Sequence, residues 1–342
     1  MRRKRTTLKD VADAARVSPT TASLVLGGRA EEYRIHVDTR RRVVEAAERL
    51  GYVPSGNTRR TAASQSPPMW AVLAPSDLEA GPINSFMRGM SRYIREQAIP
   101  VTSSLIPFEQ GSLAARAQWL RPTFAAGFVL VGLNDADLRF LEKERPDVPL
   151  VLYNRSARQY ASVMVDDYAG GGLAGKHLLE RGLRHFALLM TPQVSSSISM
   201  RATGFVDALR TSGRVDAEKS VQRVLVDPSD DDQMDTALDT ISTDDSVGVF
   251  VLHDGQTAAT LRWAARRGLG VPEDAEIVVY GDAASHRSTV PTLTSVAIPS
   301  EEMGYECAQT LRHLAASPTL TDVRRTFQAA LVLRDSSPAP AR

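Results

Sequence analysis

Cysteine is almost absent: Cys307 is the one thiol in 342 residues. That excludes a disulfide framework within the chain and any multi-cysteine metal site, and it fits a reducing compartment, so a cytoplasmic location is expected. No run of about 18 uncharged apolar residues occurs, and no membrane-spanning helix is expected. The N-terminus, Met1-Arg2-Arg3-Lys4-Arg5-Thr6-Thr7, is basic but leads into an amphipathic, Asp-containing segment rather than an apolar one, unlike a signal peptide. Also missing are a Gly-x-Ser-x-Gly elbow, a Walker A loop and a Rossmann fingerprint, the signatures of common hydrolases, NTPases and dehydrogenases. No enzymatic role, cofactor or metal is expected.

The chain has 43% hydrophobic residues and is too long for one small domain, so two or three domains are expected. The formal net charge of +1 hides a sign separation. Residues 1–60 hold fourteen Arg or Lys against seven Asp or Glu, whereas the remaining residues hold 27 against 33. A basic module for a polyanion attached to a slightly acidic globular body accounts for this asymmetry.

Within the basic module, Thr7 followed three residues later by Asp10 resembles a capping box, and Leu8, Val11, Ala12 and Ala15 share one helical face. Ser18 offers a second N-cap with Pro19 at the first helical position, and that helix runs to about Leu26 before Gly27-Gly28. Asp38 is expected to cap a third helix with Val43, Ala46, Ala47 and Leu50 on its apolar face, ended by Gly51. From Trp70 onward, short apolar runs alternate with helical stretches. The expected strands are Trp70 to Ala74, Val101 to Ile106, Phe128 to Val131, Leu150 to Tyr153, His185 to Leu189, Val247 to Leu252 and Ile277 to Tyr280. Helical patterns lie between most of them, among them Ile83 to Gln97, Leu173 to Arg181, Arg201 to Ser212 and Gly255 to Arg267. Near-continuous apolar strands separated by helices imply parallel sheets covered on both faces, and the length implies two α/β lobes with a cleft.

Two short helices joined by a tight turn form a helix-turn-helix, whose second helix enters the DNA major groove. The run Thr7-Leu8-Lys9-Asp10-Val11-Ala12, Val17-Ser18-Pro19-Thr20-Thr21-Ala22-Ser23, Val25-Leu26, Thr39 to Val43, Ala46-Ala47 and Leu50-Gly51-Tyr52-Val53-Pro54 resembles the headpiece signature of the lactose-repressor (LacI/GalR) family. The resemblance continues through Val165-Asp166-Asp167-Tyr168-Ala169-Gly170, similar to the family's Val-Asp-Asn-x-x-Gly, and through Arg201 to Phe205, Pro291 to Val296 and Leu333 to Ser337. It implies a DNA-binding transcriptional regulator, a repressor, that is a homodimer on a near-palindromic double-stranded operator.

The same resemblance assigns base reading to Pro19, Thr20 and Leu24, and phosphate contacts to Ser18, Thr21 and Ser23 with Thr7 and the N-terminal basic residues. Leu24 stands where many relatives carry Arg: it either makes an apolar contact, for instance with a thymine methyl, or packs on the third helix. In the family the segment after Pro54 becomes helical on the operator and wedges a Leu into the minor groove. Here Thr61 holds that place, and Arg59 and Arg60 either enter the minor groove or form a charged linker.

The implied core has two flavodoxin-like lobes like those of periplasmic binding proteins, with a sugar or polyol between them at the carboxyl ends of the strands. Arg201 and Asp282 match the family's effector-binding arginine and carboxylate, and as donor fork and acceptor they suit a polyol; a purely structural salt bridge is the other reading. Ser197 lies one helical turn before Arg201. His253 stands in place of a usual Asn and Asn154 in place of an Asp, while Pro228 replaces an aromatic that stacks on sugar rings. His253 is either a ligand contact or an ordinary strand-end histidine, and Ile83 is placed with the effector contacts. Gly170-Gly171-Gly172 suggests a phosphate cradle, but the family uses this helix start structurally. A solute-binding receptor without a DNA role would share the core, yet it needs a signal peptide and no helix-turn-helix. The expected architecture is thus an all-α three-helix helix-turn-helix headpiece (residues 1–54), a hinge (55–68), a bilobed α/β effector-binding and dimerisation core (69–334) and a disordered tail (335–342).

Overall fold

A capping box opens the first helix of the protein. In the computed structural model, which describes residues 7–26, 30, 33, 35–50, 68–76, 80–192, 195–227, 230–317 and 323–340, the Thr7 backbone N–H donates to Asp10 Oδ2 (2.7 Å). Asp10 N donates to Thr7 Oγ1 at 3.3 Å. Helix α1 (Leu8–Ala15) ends at Arg16, whose φ of 54° is left-handed and turns the chain into α2 (Pro19–Leu26). The third helix, α3, spans Val37–Leu50 and starts one residue before Asp38, which lies in its first turn rather than capping it. Val11, Ala12, Ala15, Ala22, Val25, Val43, Ala46 and Ala47 form the core of this small unit, as their helical spacing requires. The hinge residues Arg59, Arg60 and Thr61 lie outside the described residues.

Residues 68–342 form a second unit. Its chain runs β1 (Met69–Pro75), α4 (Ala80–Glu96), β2 (Thr102–Phe108), β3 (Gly127–Val131), α5 (Asp135–Glu144), β4 (Leu150–Tyr153) and β5 (Ala161–Val165). It continues with α6 (Asp167–Glu180), β6 (His185–Met190), α7 (Ser196–Ser212), α8 (Ala217–Ser220), β7 (Val221–Leu225), α9 (Asp231–Leu238), β8 (Val247–Val251), α10 (Thr257–Arg267), β9 (Ala275–Tyr280) and β10 (Thr294–Ala297). It closes with α11 (Ser300–Ala316), β11 (Arg324–Phe327) and β12 (Ala330–Val332). Two sheets result: β2-β1-β3-β4-β5-β11, parallel throughout, and β7-β6-β8-β9-β10-β12, parallel except for β12. Both follow the doubly wound order in which ligands sit beyond the carboxyl ends of the strands. The chain passes between the two lobes three times, from β5 into α6, from β10 into α11, and from β11 into β12.

All seven expected strands are present, with ends shifted by no more than two residues. The five that went unread, β5, β7, β10, β11 and β12, are three to five residues long, and three of them are sheet edges. The disordered tail is corrected: Ser336 and Ser337 are fully buried. Ser336 Oγ donates to Ile277 O (2.6 Å) and accepts from Thr294 N (2.9 Å), while Ser337 Oγ donates to Glu276 Oε2 (2.6 Å). Buried polar groups need partners, and the Ser336 hydroxyl supplies them to two backbone groups and the Ser337 hydroxyl to a carboxylate, which polarity alone does not reveal.

Each lobe is tied by one glycine-lined helix crossing. A Cβ at Gly171 of α6 would stand 2.0 Å from Arg201 O of α7, and one at Gly204 would stand 2.0 Å from Tyr168 O. The same reciprocity joins Gly89 of α4 (1.8 Å from Glu301 O) and Gly304 of α11 (2.1 Å from Phe86 O). Gly171 is therefore a packing residue, whereas a Cβ at the adjacent Gly172 would come no closer than 3.7 Å to another atom. Gly171→Ala is expected to cost about 1–3 kcal/mol or more through overpacking, while Gly172→Ala leaves stability equal or slightly higher. Thermal midpoints of the two variants check this, and equal midpoints would show that the crossing tolerates a methyl group.

Candidate functional site

In the headpiece, the N-terminus of α2 is organised by two hydroxyls. Thr21 N donates to Ser18 Oγ at 3.0 Å, and the Ser18 and Thr21 hydroxyls share a hydrogen bond of 2.8 Å. Capping in this way leaves Pro19, Thr20 and Ser23 exposed and Thr21 partly so. Leu24 is half-buried and lies outside the apolar cluster that Val25 and Leu26 join. Exposed Lys9 and Arg16 add positive charge on and after α1. A helix start with exposed hydroxyls and cationic side chains nearby has the composition that phosphate contact requires.

In the core, the carboxyl ends of the strands carry a connected polar cluster. Arg201, in the second turn of α7, donates from Nε to Asp167 Oδ1 (2.8 Å) and from Nη1 to Leu252 O (2.8 Å). Its guanidinium carbon lies 3.7 Å from the centroid of the Tyr280 ring at the end of β9. This stack and the ion pair together fix the guanidinium plane. Burial pushes the Tyr280 phenol up, so it stays a neutral hydroxyl at every pH of interest.

Asn154 follows β4 in the other lobe and takes a left-handed φ of 53°. Its Nδ2 donates to Asp167 Oδ2 (3.2 Å) and Ser197 Oγ (3.3 Å), and its Oδ1 accepts from Val165 N (3.1 Å). The neighbouring Arg155 donates from Nε to Leu133 O (2.9 Å) and from Nη1 to Asn154 O (3.0 Å) and Ser197 Oγ (3.1 Å). Desolvation by burial lowers the Arg155 pKa, Asp167 and Asp135 oppose that, and the like charge of Arg201 adds to it.

The structure therefore brings Asn154, Ser197 and Arg201 together but not the other three. Asp282 is not the partner of Arg201. After Gly281, whose φ of 105° takes the chain out of strand geometry, Asp282 is held by Arg287 Nη2 (2.9 Å) and Arg334 Nη2 (2.7 Å). Burial pushes its carboxyl up, but these two guanidiniums outweigh burial and hold it below the usual carboxylate range. His253 accepts from Gly255 N (3.2 Å) and so caps the turn Asp254–Gln256, a structural role for that ring nitrogen. Ile83 is 6% exposed and packs in the core of the first lobe with Phe86 and Met90. Pro228 lies outside the described residues. Asp167, Arg155 and Tyr280 went unread. Asp167 had a signal, since it replaces the Asn of the family's Val-Asp-Asn motif with a charge, and Arg155 is the cation next to Asn154.

Residues 7–55 match the family described as bacterial regulatory proteins, lacI family, and residues 176–337 match the periplasmic binding protein-like domain. The chain is 27% identical to the HTH-type transcriptional regulator GalR of Escherichia coli K12, over 98% of this chain and 96% of that protein. It is 28% identical to the regulator CelR of Thermobifida fusca, over 98% and 99%. Among solved structures, a CelR–cellobiose complex is similar at a TM-score of 0.66 with 27% identity, covering 97% of this chain and all of that one. The lac repressor dimer bound to operator and the anti-inducer ONPF shares the fold at a TM-score of 0.65 and 22% identity, over 98% of this chain and 100% of that one. Three helices with an exposed recognition face, two doubly wound sheets joined by three crossings, and these matches along the chain place it in the lactose-repressor (LacI/GalR) family, as a DNA-binding transcriptional regulator.

Proposed function

We propose that this regulator is a cytoplasmic, homodimeric repressor without catalytic activity, which binds a near-palindromic operator through Ser18, Pro19, Thr20, Thr21, Ser23 and Leu24 and releases or tightens it when a sugar or polyol enters the cleft. The observation that carries the reading is the exposed face of α2, set on a module with net charge +7 over residues 1–60. Arg59, Arg60 and Thr61 belong to the hinge at 55–68, and Thr7 to the phosphate contacts. The effector is read from relatives: the CelR complex holds cellobiose, and a 27% identical protein of Bacillus subtilis is the ribose operon repressor. In this chain Asn154, Ser197, Arg201 and Asp167 supply the donors and acceptors that hydroxyl groups need. A membrane partner has no support, since no helix among the described residues is long and apolar enough to cross a membrane.

Dimerisation is supported by two exposed leucines on sheet edges, Leu105 of β2 (43% exposed) and Leu225 of β7 (58%). Edge strands bearing apolar side chains are stable in water when a second copy covers them. Sedimentation is expected to show a dimer of the wild type, and Leu105→Lys with Leu225→Lys to shift it toward monomer. An unchanged dimer would locate the interface elsewhere.

Footprinting is expected to reveal a protected near-palindrome, with affinity falling about a thousandfold or more between roughly 50 and 200 mM salt for about six to ten phosphate contacts. Leu24→Arg is expected to change base preference at one symmetric position while nonspecific affinity stays equal or rises. Selection from random DNA tests it, and recovery of the same site by both proteins would remove Leu24 from the reading surface.

Arg201→Ala is expected to abolish the effector response, and the residue stripped of its partner is Asp167. The Asp167 side chain is 8% exposed, so loss of its counter-charge is expected to cost about 3–5 kcal/mol, part of which Asp167→Asn in the same background restores. Denaturant unfolding of the single and double variants measures this; additive losses would mean that the two side chains do not act as a pair.

A further inference from the structure

Arg155 is the one guanidinium of the cleft cluster whose partners are all neutral. Leu133 O, Asn154 O and Ser197 Oγ accept from it, and among the described residues no carboxylate lies in ion-pair contact with it. Arg201, by contrast, has Asp167, and Arg287 and Arg334 share Asp282. The carboxylates whose fields reach Arg155 do not neutralise it: Asp167 is already engaged by Arg201, and Asp135 is exposed to solvent, which screens it. A cation half-removed from water without a counter-ion is costly, and the cost falls when an anion enters.

One edge of the Arg155 guanidinium remains for such an anion. Nε and Nη1 of Arg155 are engaged, which leaves the two N–H groups of Nη2 for a ligand. Arg201 likewise has Nε and Nη1 engaged and Nη2 available, but its charge is balanced. Asn154, Ser197 and the neutral Tyr280 hydroxyl surround them with groups suited to hydroxyls. Resting on the reading of this cleft as the effector site, we infer that the effector is a sugar acid, an aldonate or uronate, whose carboxylate pairs with Arg155 while its hydroxyls meet Arg201, Asn154 and Ser197. One unbalanced guanidinium matches one carboxylate. A phosphate monoester brings close to two negative charges and would leave one of them unpaired.

The test uses the full-length protein at fixed ionic strength, in matched pairs: D-gluconate and D-glucitol, D-glucuronate and D-glucose, D-galacturonate and D-galactose, with D-glucose 6-phosphate as a separate arm. Thermal shift and calorimetric titration are expected to show binding by at least one acid and none, or binding weaker by about tenfold or more, by its neutral counterpart and by the phosphate ester. Arg155→Gln is expected to weaken the acid by about ten- to a hundredfold and erase the preference, and Arg155→Lys, which keeps the charge, to retain it. The inference is overturned if a neutral sugar binds as tightly as its acid, if only the phosphate ester binds, if none of the acids binds, or if Arg155→Gln keeps the preference. Operator binding is measured separately without additives, and its failure would count against the regulator reading rather than against the charge assignment.

Discussion

The Asp167 carboxylate is the constraint on which the cleft depends. It sits in the first turn of α6, immediately after the chain crosses from one lobe to the other, and each of its oxygens serves a different lobe: Oδ1 takes Arg201 of α7, and Oδ2 takes Asn154 after β4. The positive end of the α6 dipole favours a charge there. With Arg201 fixed by this pair, its guanidinium lies flat on Tyr280 and reaches the carbonyl of Leu252, so α6, α7, β8 and β9 share one polar junction. The glycine crossing at Gly171 and Gly204 brings the backbones of α6 and α7 into contact beside this junction.

A second junction closes the far lobe. Glu276, on β9, is buried and holds Arg181, just after α6, at 2.8 Å and Ser337 of the tail at 2.6 Å, while His177 lies 2.7 Å from the same serine hydroxyl. Desolvation lowers the His177 pKa, which keeps the ring neutral near pH 7 and able to act as both donor and acceptor in the cluster. The tail after β12 is therefore part of the lobe, and Arg334, a few residues earlier, extends the same segment to Asp282.

The architecture was legible because its signals are local. Capping at Thr7 and Ser18, the apolar face of Val43, Ala46 and Ala47, and the long runs of β1, β3, β6, β8 and β9 need no knowledge of distant residues. Short edge elements such as β7 and β11 were not legible, since four or five residues carry little periodicity and their identity comes from a neighbour. The cleft was half legible for the same reason. Asn154, Ser197 and Arg201 could be placed by resemblance, but which carboxylate answers Arg201 is a question of where two strand ends lie in space. Sequence position favoured Asp282 and geometry chose Asp167. Ser336 and Ser337 looked like tail because polarity near a terminus is uninformative until the groups they satisfy, Ile277 O, Thr294 N and Glu276, are known.

The hydrogen bonds from Asn154 to Asp167 and Ser197, and from Arg155 to Ser197, run from one lobe to the other. Separating the lobes exchanges each of them for water, at a net cost of about 0.5–1.5 kcal/mol per bond and more where a charge takes part. Contact between the lobes thus gains a few such bonds, an energy on the scale that a bound molecule can offset or reinforce. A molecule bound equally well in both arrangements would shift nothing, so the residues that count are those whose contacts differ between them. Asn154, Arg155 and Ser197 carry bonds of this kind, beside the bonds that Asn154 and Arg155 keep within the first lobe, whereas Arg201 bonds to Asp167 and Leu252 within the other lobe. Arg201 is thus fixed within one lobe, while the Asn154–Arg155–Ser197 contact links the two.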